Sequence, residues 1–191
     1  YDTLRDFAPI SQLMSAPSVL VVAPTMPVNS VRELVELARA KPGTLTFSSS
    51  GAGGSPHLAG EMLALRAGIQ MIHVPYKGAA PALADVISGA VDLGFQTALS
   101  ALPAYYMNRI WVWGNQRLKQ LPTVPTMAEA GFPDFEVSSW NGLLAPAKTP
   151  APFIDRLYRE LALIVQMPDI RERFDAQAAD PVGSTPAQFR D

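Results

Sequence analysis

Thr44-Leu45-Thr46-Phe47-Ser48-Ser49-Ser50-Gly51-Ala52-Gly53-Gly54-Ser55-Pro56-His57 passes from one backbone period to another within a single stretch. Thr44 to Ser48 alternates in polarity, as a half-buried strand does. Ser49 to Ser55 carries only small residues, which let backbone N–H groups turn inward without side-chain clashes. Pro56 suits the first turn of a helix, where its missing N–H would have no partner anyway. The stretch therefore reads as strand, small-residue loop and helix. The pattern recurs downstream. Met71 to Val74 is a short strand, Pro75-Tyr76-Lys77-Gly78 turns the chain, and an Ala-rich helix follows with Leu83, Val86 and Ile87 on one side. Val91 to Phe95 is strand-like again.

Upstream, Ser18-Val19-Leu20-Val21-Val22-Ala23 is a wholly buried strand ending at Pro24. Ser30 and Glu33 form a capping box for a helix with Val31, Leu34, Val35 and Ala38 on one face. Downstream, Ile110 to Trp113 is strand-like. Thr126 and Glu129 predict a second capped helix, ended by Gly131. Val137 to Ala145 is extended, and amphipathic helices open near Thr149-Pro150 and Pro168. Strands alternating with helices at this spacing predict an α/β fold with a mainly parallel sheet. Such a sheet places ligand loops at the carboxyl ends of its strands.

Composition narrows the function classes. The chain has 191 residues, 48% hydrophobic and 17% charged, which is globular rather than disordered. The net charge is −2 with Lys and Arg scattered, which argues against a nucleic-acid groove. With no cysteine, thiol catalysis and cysteine-ligated metals are excluded. No apolar run approaches the roughly 20 residues of a membrane helix. The chain begins at Tyr1 without a signal sequence, which reads as a processing or truncation boundary.

Three strand ends carry polar residues. In the first, the N–H groups of Ser50, Gly51 and Gly53 and the hydroxyls of Ser49 and Ser55 surround a helix start, an arrangement suited to a carboxylate or phosphate. The dinucleotide fingerprint fails there, because Pro56 stands in place of the third Gly. In the second, Tyr76 offers a hydroxyl, Lys77 a cation and Gly78 a bare N–H. In the third, Gln96 and Thr97 end a strand. Trp140, within Ser138-Ser139-Trp140-Asn141-Gly142, is a candidate wall for a cleft. The plainer readings are a flexible connection, a packed Tyr76 with a solvated Lys77, a polar strand end and a core Trp. Catalysis has thin support. His57 and His73 are the two histidines, and either is a candidate base in an alternative reading as an α/β enzyme acting on a small organic acid. His57 and Glu61 share a helix face, but two ligands without a third make no metal site. Asp85 and Asp92 are seven apart on different elements, a spacing that does not by itself make an acid–base pair.

Several motifs together resemble one family. They are Tyr1-Asp2-x-Leu4-x-Asp6-Phe7, the Ser-Ser-Gly-x-Gly loop followed by His57-Leu58-Ala59-Gly60-Glu61, and His73-Val74-Pro75-Tyr76-Lys77-Gly78 with Ala80-Pro81-Ala82-Leu83. Two more are Val124-Pro125-Thr126-Met127-Ala128-Glu129-Ala130-Gly131 and Trp140-x-Gly142-Leu143-Leu144-Ala145-Pro146. The chain resembles the extracytoplasmic solute receptors of tripartite tricarboxylate transporters, the Bug or TctC type, from end to end. The resemblance implies a two-lobed periplasmic binding protein-like fold of type II, with residues 25–112 as a continuous lobe. Residues 1–24 and 113–191 would form the other lobe, N-terminally incomplete because family members carry a further mature stretch and a signal peptide ahead of the Tyr1 equivalent. It further implies capture of a di- or tricarboxylate, amino acid or related acid and delivery to membrane permease subunits in the periplasm, with no cofactor, no metal and no catalysis. Incompleteness of that lobe makes a homodimer through it an expectation. The chain departs from the family pattern at Gln96-Thr97, where an Asp-Asn-like pair is common. It departs again at 104–116, which is slightly shorter and carries Trp111-Val112-Trp113 in place of a plainer aliphatic strand.

Overall fold

The computed structural model of the chain describes residues 1–102, 109–112 and 116–190. Two compact units pack separately, Pro17–Ser139 on the one hand and Tyr1–Ala16 with Trp140–Asp191 on the other. This division falls at 16/17 and 139/140, where the expected lobes divide at 24/25 and 112/113. Strand β1 (Phe7–Val22) spans the 16/17 boundary and runs well upstream of the expected Ser18 start. Its first part is interrupted by Pro9, Ser11, Gln12 and Ser15 and shows no clear strand period. Its second part, Val19 to Val22, is fully buried.

In the unit 17–139 the strand order is β3-β2-β4-β1-β5. Here β2 is Thr46–Ser49, β3 Ile72–Pro75, β4 Leu93–Thr97 and β5 Arg109–Val112. β2 runs parallel to both β3 and β4. β1 runs antiparallel to both β4 and β5. The sheet is therefore mixed, which corrects the expectation of a mainly parallel one. Alternation of strands and helices encodes crossovers only between β2, β3 and β4. The neighbours of β1 are distant in sequence, and antiparallel pairing needs no crossover helix. Of the expected strand Ile110–Trp113, Trp113 lies outside the described residues, as does most of the 104–116 stretch.

Helix α2 (Val31–Ala40) forms as its sequence predicts. Ser30 Oγ accepts from Glu33 N–H at 3.1 Å, and Val31, Leu34, Val35 and Ala38 are buried. α3 (Ser55–Ala67) and α4 (Ala79–Ser88) take opposite faces of the sheet. Gly60 of α3 rides so close to Phe47 that an added Cβ would stand 2.3 Å from Phe47 Cε2. Ser48, the next residue, points the other way and donates to Ala82 O of α4 at 3.1 Å. α5 (Ala98–Ala101) follows β4 directly. The Thr126–Glu129 box forms reciprocally, with Glu129 N–H donating to Thr126 Oγ1 at 3.1 Å and Thr126 N–H to Glu129 Oε2 at 2.8 Å. It closes a hydrogen-bonded turn, however, and not the expected helix. Proline 133 and the aromatic pair Phe132–Phe135 take the chain elsewhere within one turn.

The other unit contains α1 (Thr3–Asp6), the first part of β1, most of β6 (Ser138–Pro146), α6 (Ala151–Ile164), α7 (Pro168–Ala176), β7 (Asp180–Pro181) and α8 (Pro186–Arg190). Its buried cluster is Ile10, Ala145 and Ile154, with Ala8, Tyr158 and Leu161 packed against it. Among the described residues no helix is long and apolar enough to cross a membrane.

Candidate functional site

The β2 and β3 strands end side by side. Ser49 is the register partner of Pro75, and Tyr76 N–H donates to Ser49 O at 3.0 Å. The loops 50–54 and 76–78 therefore leave the sheet together, each leading into a helix. Gly53, at φ +81, and Gly78, at φ +135, hold backbone conformations that other residues adopt only under strain. Within this unit α2 is capped by Ser30, and α5 by Thr97, whose Oγ1 accepts from Ser100 N–H at 3.4 Å. α3 and α4 begin instead at Gly54 and Gly78, and neither start has a side-chain cap. Two neighbouring helix starts thus keep their first-turn N–H groups and the positive ends of their dipoles open to an anion.

The serines divide by role. Ser49 is fully buried, and its hydroxyl contacts Gly51 O at 3.0 Å, Gly51 N at 3.3 Å and His73 Nε2 at 2.7 Å. It braces the loop from beneath. The hydroxyls of Ser50 and Ser55, both partly exposed, hydrogen-bond to no other described residue. Lys77 is exposed beside Gly78.

A ring stack supports the loop from the α3 side. His57 and His73 lie 4.0 Å apart and near-parallel, and both stack on Phe47, His73 at 4.8 Å and His57 at 6.3 Å. His57 Nδ1 accepts from Gly53 N–H at 3.1 Å, and its Nε2 stands 3.5 Å from Glu61 Oε1. Burial, followed by the proximity of His57, holds the His73 pKa below its ordinary value, with Glu61 opposing. Both imidazoles are thus engaged in holding the loop, and Ser49 beneath it is fully buried. From the sequence His57, near a helix start, reads as a cap or hydrogen-bonded residue more readily than as a base or metal ligand, and its bond to Gly53 N–H agrees with that plainer reading.

Tyr76 is committed as well. Its hydroxyl donates to Asp85 Oδ2 of α4, a bond that, with burial, pushes the phenol up to about 12. Tyr76 therefore fixes the 76–78 loop to the helix it precedes. Asp92 accepts from both Thr46 N–H and Thr46 Oγ1 at 2.8 Å, so Asp85 and Asp92 serve separate structural bonds. Among the described residues no group of three His, Asp or Glu is placed to hold a metal.

Gln96 is fully buried at the end of β4, and neither atom of its carboxamide has a hydrogen-bond partner among the described residues. An unsatisfied buried polar group costs about 1–3 kcal/mol. Stability given up in this way concentrates at functional sites. Thr97 spends its hydroxyl on α5, 2.8 Å from Ser100 Oγ. The structure thus brings together Ser49, Ser50, Gly51, Gly53, Ser55, Tyr76, Lys77 and Gly78 around two adjoining loops, with Gln96 and Thr97 at the next strand but one from β3. Trp140 belongs to the other unit. There it lies edge-on to Phe189 at 5.3 Å and lines a cavity of about 820 Å³ with Phe7, Leu144 and Arg190.

The family model for the tripartite tricarboxylate transporter family receptor matches residues 1–190. BugT of Bordetella pertussis is 33% identical over all of this chain and 59% of its own length. A protein of R. palustris solved with adipate is 31% identical, with a TM-score of 0.91 over all of this chain and 64% of its own. MatC of Rhodopseudomonas palustris, solved with bound malate, is 26% identical, with a TM-score of 0.88 over all of this chain and 67% of its own. The chain thus spans about three fifths of the curated relative and about two thirds of the solved ones. It belongs to the tripartite tricarboxylate transporter receptor family.

Proposed function

We propose that this member of the tripartite tricarboxylate transporter receptors captures a small carboxylate in the periplasm and presents it to the membrane permease subunits of such a transporter. One observation carries the reading. Two uncapped helix starts, α3 and α4, stand side by side at the ends of neighbouring parallel strands, in a chain whose solved relatives hold adipate and malate. The mechanism is physical. The Ser50 N–H and the Ser55 hydroxyl receive one carboxylate at the α3 start, and the Gly51 N–H, which Ser49 Oγ holds at 3.3 Å, and the Gly53 N–H complete the set. Lys77 and the Gly78 N–H form the adjoining anion site. Ser49 and Tyr76 hold the two loops in register. Gln96 and Thr97, where the family pattern differs, set the preference for the distal group. Backbone donors fixed in advance lower the ordering cost of binding, which is why glycines and a buried serine serve here better than long side chains.

Calorimetric titration with adipate and with malate, using 1,6-hexanediol as the uncharged control, tests the reading. Binding of at least one acid and none of the diol is expected. Gly53→Val, which strains the loop at φ +81, and Lys77→Ala are each expected to weaken binding about tenfold, the loss of one charge-assisted contact. Unchanged affinity in both variants places the site elsewhere.

A further inference from the structure

Gly53 N–H stands among the proposed carboxylate donors, yet it already donates to His57 Nδ1 at 3.1 Å. Ligand and imidazole compete for the same hydrogen. Accepting that bond requires the His57 ring to carry its proton on Nε2, the atom that faces Glu61 Oε1 at 3.5 Å. A second proton therefore has one place to go, Nδ1. There it turns an acceptor into a donor pointed at another donor, and the Gly53 N–H is released. The same event puts a positive charge beside the anion loop.

From this geometry we infer that His57 is a positioning residue whose protonation frees the Gly53 amide for the ligand, so that carboxylates bind more tightly as the medium becomes more acidic. The inference rests on the carboxylate reading of the loop. The titratable groups facing His57 are His73, stacked on it from β3 at 4.0 Å, and Glu61 on its own helix. Glu61 lies on the His57 side of the pair, and His73 is held toward the neutral form by burial and then by His57. The two effects of protonation act in the same direction. One hydrogen-bond donor is returned to the ligand, and one charge is added near it.

Calorimetry with adipate and malate on the full chain between pH 8.5 and 5.5 tests this. The dissociation constant of the acid that binds is expected to fall about tenfold toward pH 5.5. At intermediate pH the heat is expected to vary with the ionisation enthalpy of the buffer, because binding takes up a proton. His57→Asn keeps an acceptor for Gly53 N–H but does not titrate. It is expected to bind at every pH with the weaker affinity that the parent chain shows at pH 8.5. Affinity that is flat or weakens toward acid in the parent chain overturns the inference without touching the carboxylate reading, and so does a tenfold rise retained by His57→Asn. If neither acid binds at any pH, the carboxylate reading fails and this inference with it. Buffer-dependent proton uptake by the parent chain decides the matter even if the Asn variant does not fold.

Discussion

Phe47, Phe95, Leu34, Leu63 and Leu93 of the unit 17–139 are sealed from solvent, whereas in the unit formed by 1–16 and 140–191 Trp140 is 56% exposed, Phe153 62% and Leu163 68%. The first unit encloses its strands between helices on both faces and leaves Leu58, Leu65 and Ile72 exposed, as surface residues often are. The second builds its buried cluster on Ile10, Ala145 and Ile154 and leaves Leu143, Leu144, Leu157 and Ile164 at least partly open. The difference teaches that the loops proposed to hold an anion stand on the unit with the more fully buried core. Preorganised donors need a scaffold that does not yield, and the proposed donors rest on Phe47, Ser49 and the two histidines.

The sharpest way to break this comparison is Phe47→Ala. Removing the ring beneath the histidine stack is expected to cost about 3–5 kcal/mol in urea unfolding. A loss below 1 kcal/mol would mean that the first unit is no better packed than the second. Gly60→Ala comes next. A Cβ there would meet Phe47 Cε2 at 2.3 Å, and the ring must move, which is expected to cost about 1–3 kcal/mol despite the better helix propensity of Ala.

Acid is the third probe. The His73 pKa is depressed in the folded chain, so the unfolded chain binds the extra proton more readily. The associated stability is complete above the ordinary histidine value of about 6.5 and declines as pH falls below it. The melting temperature of the ligand-free chain is expected to drop between pH 7 and 5, and His73→Gln is expected to flatten that drop.

The smallest effect is expected from Leu157→Gln in the second unit, within about 0.5 kcal/mol, because the side chain is 42% exposed. Sedimentation velocity on the same variant sharpens the result. A large loss of stability together with a shift from dimer to monomer would show that a second copy covers this face in solution.

Much of the fold is legible in the sequence because local signals agree with it. The capping box at Ser30 and Glu33, the Pro near the α3 start and the short apolar runs of β2, β3 and β4 each place an element within a residue or two. The reach of β1 back to Phe7 is not legible, since Pro9, Ser11 and Gln12 hide the strand period. The helix expected after Thr126 shows the converse. Its caps satisfy each other correctly, but nothing downstream continues the helical period. For the site, the glycines and small residues of 48–55 and 76–78 already point to backbone donors. That Ser49 braces the loop from below, that Tyr76 is tied to Asp85 and that His57 accepts the Gly53 N–H are decided by the tertiary fold.

By itself the sequence determined most of the strands and helices of the unit 17–139, and where the small-residue loops between them fall. All of these follow from the conformational preferences of residues close together in the chain. The tertiary structure alone decided the antiparallel placement of β1, the pairing of two uncapped helix starts, the orphaned carboxamide of Gln96 and the stacking of His57 on His73. Those features depend on which distant segments meet, and a sequence period carries no information about a partner on another strand.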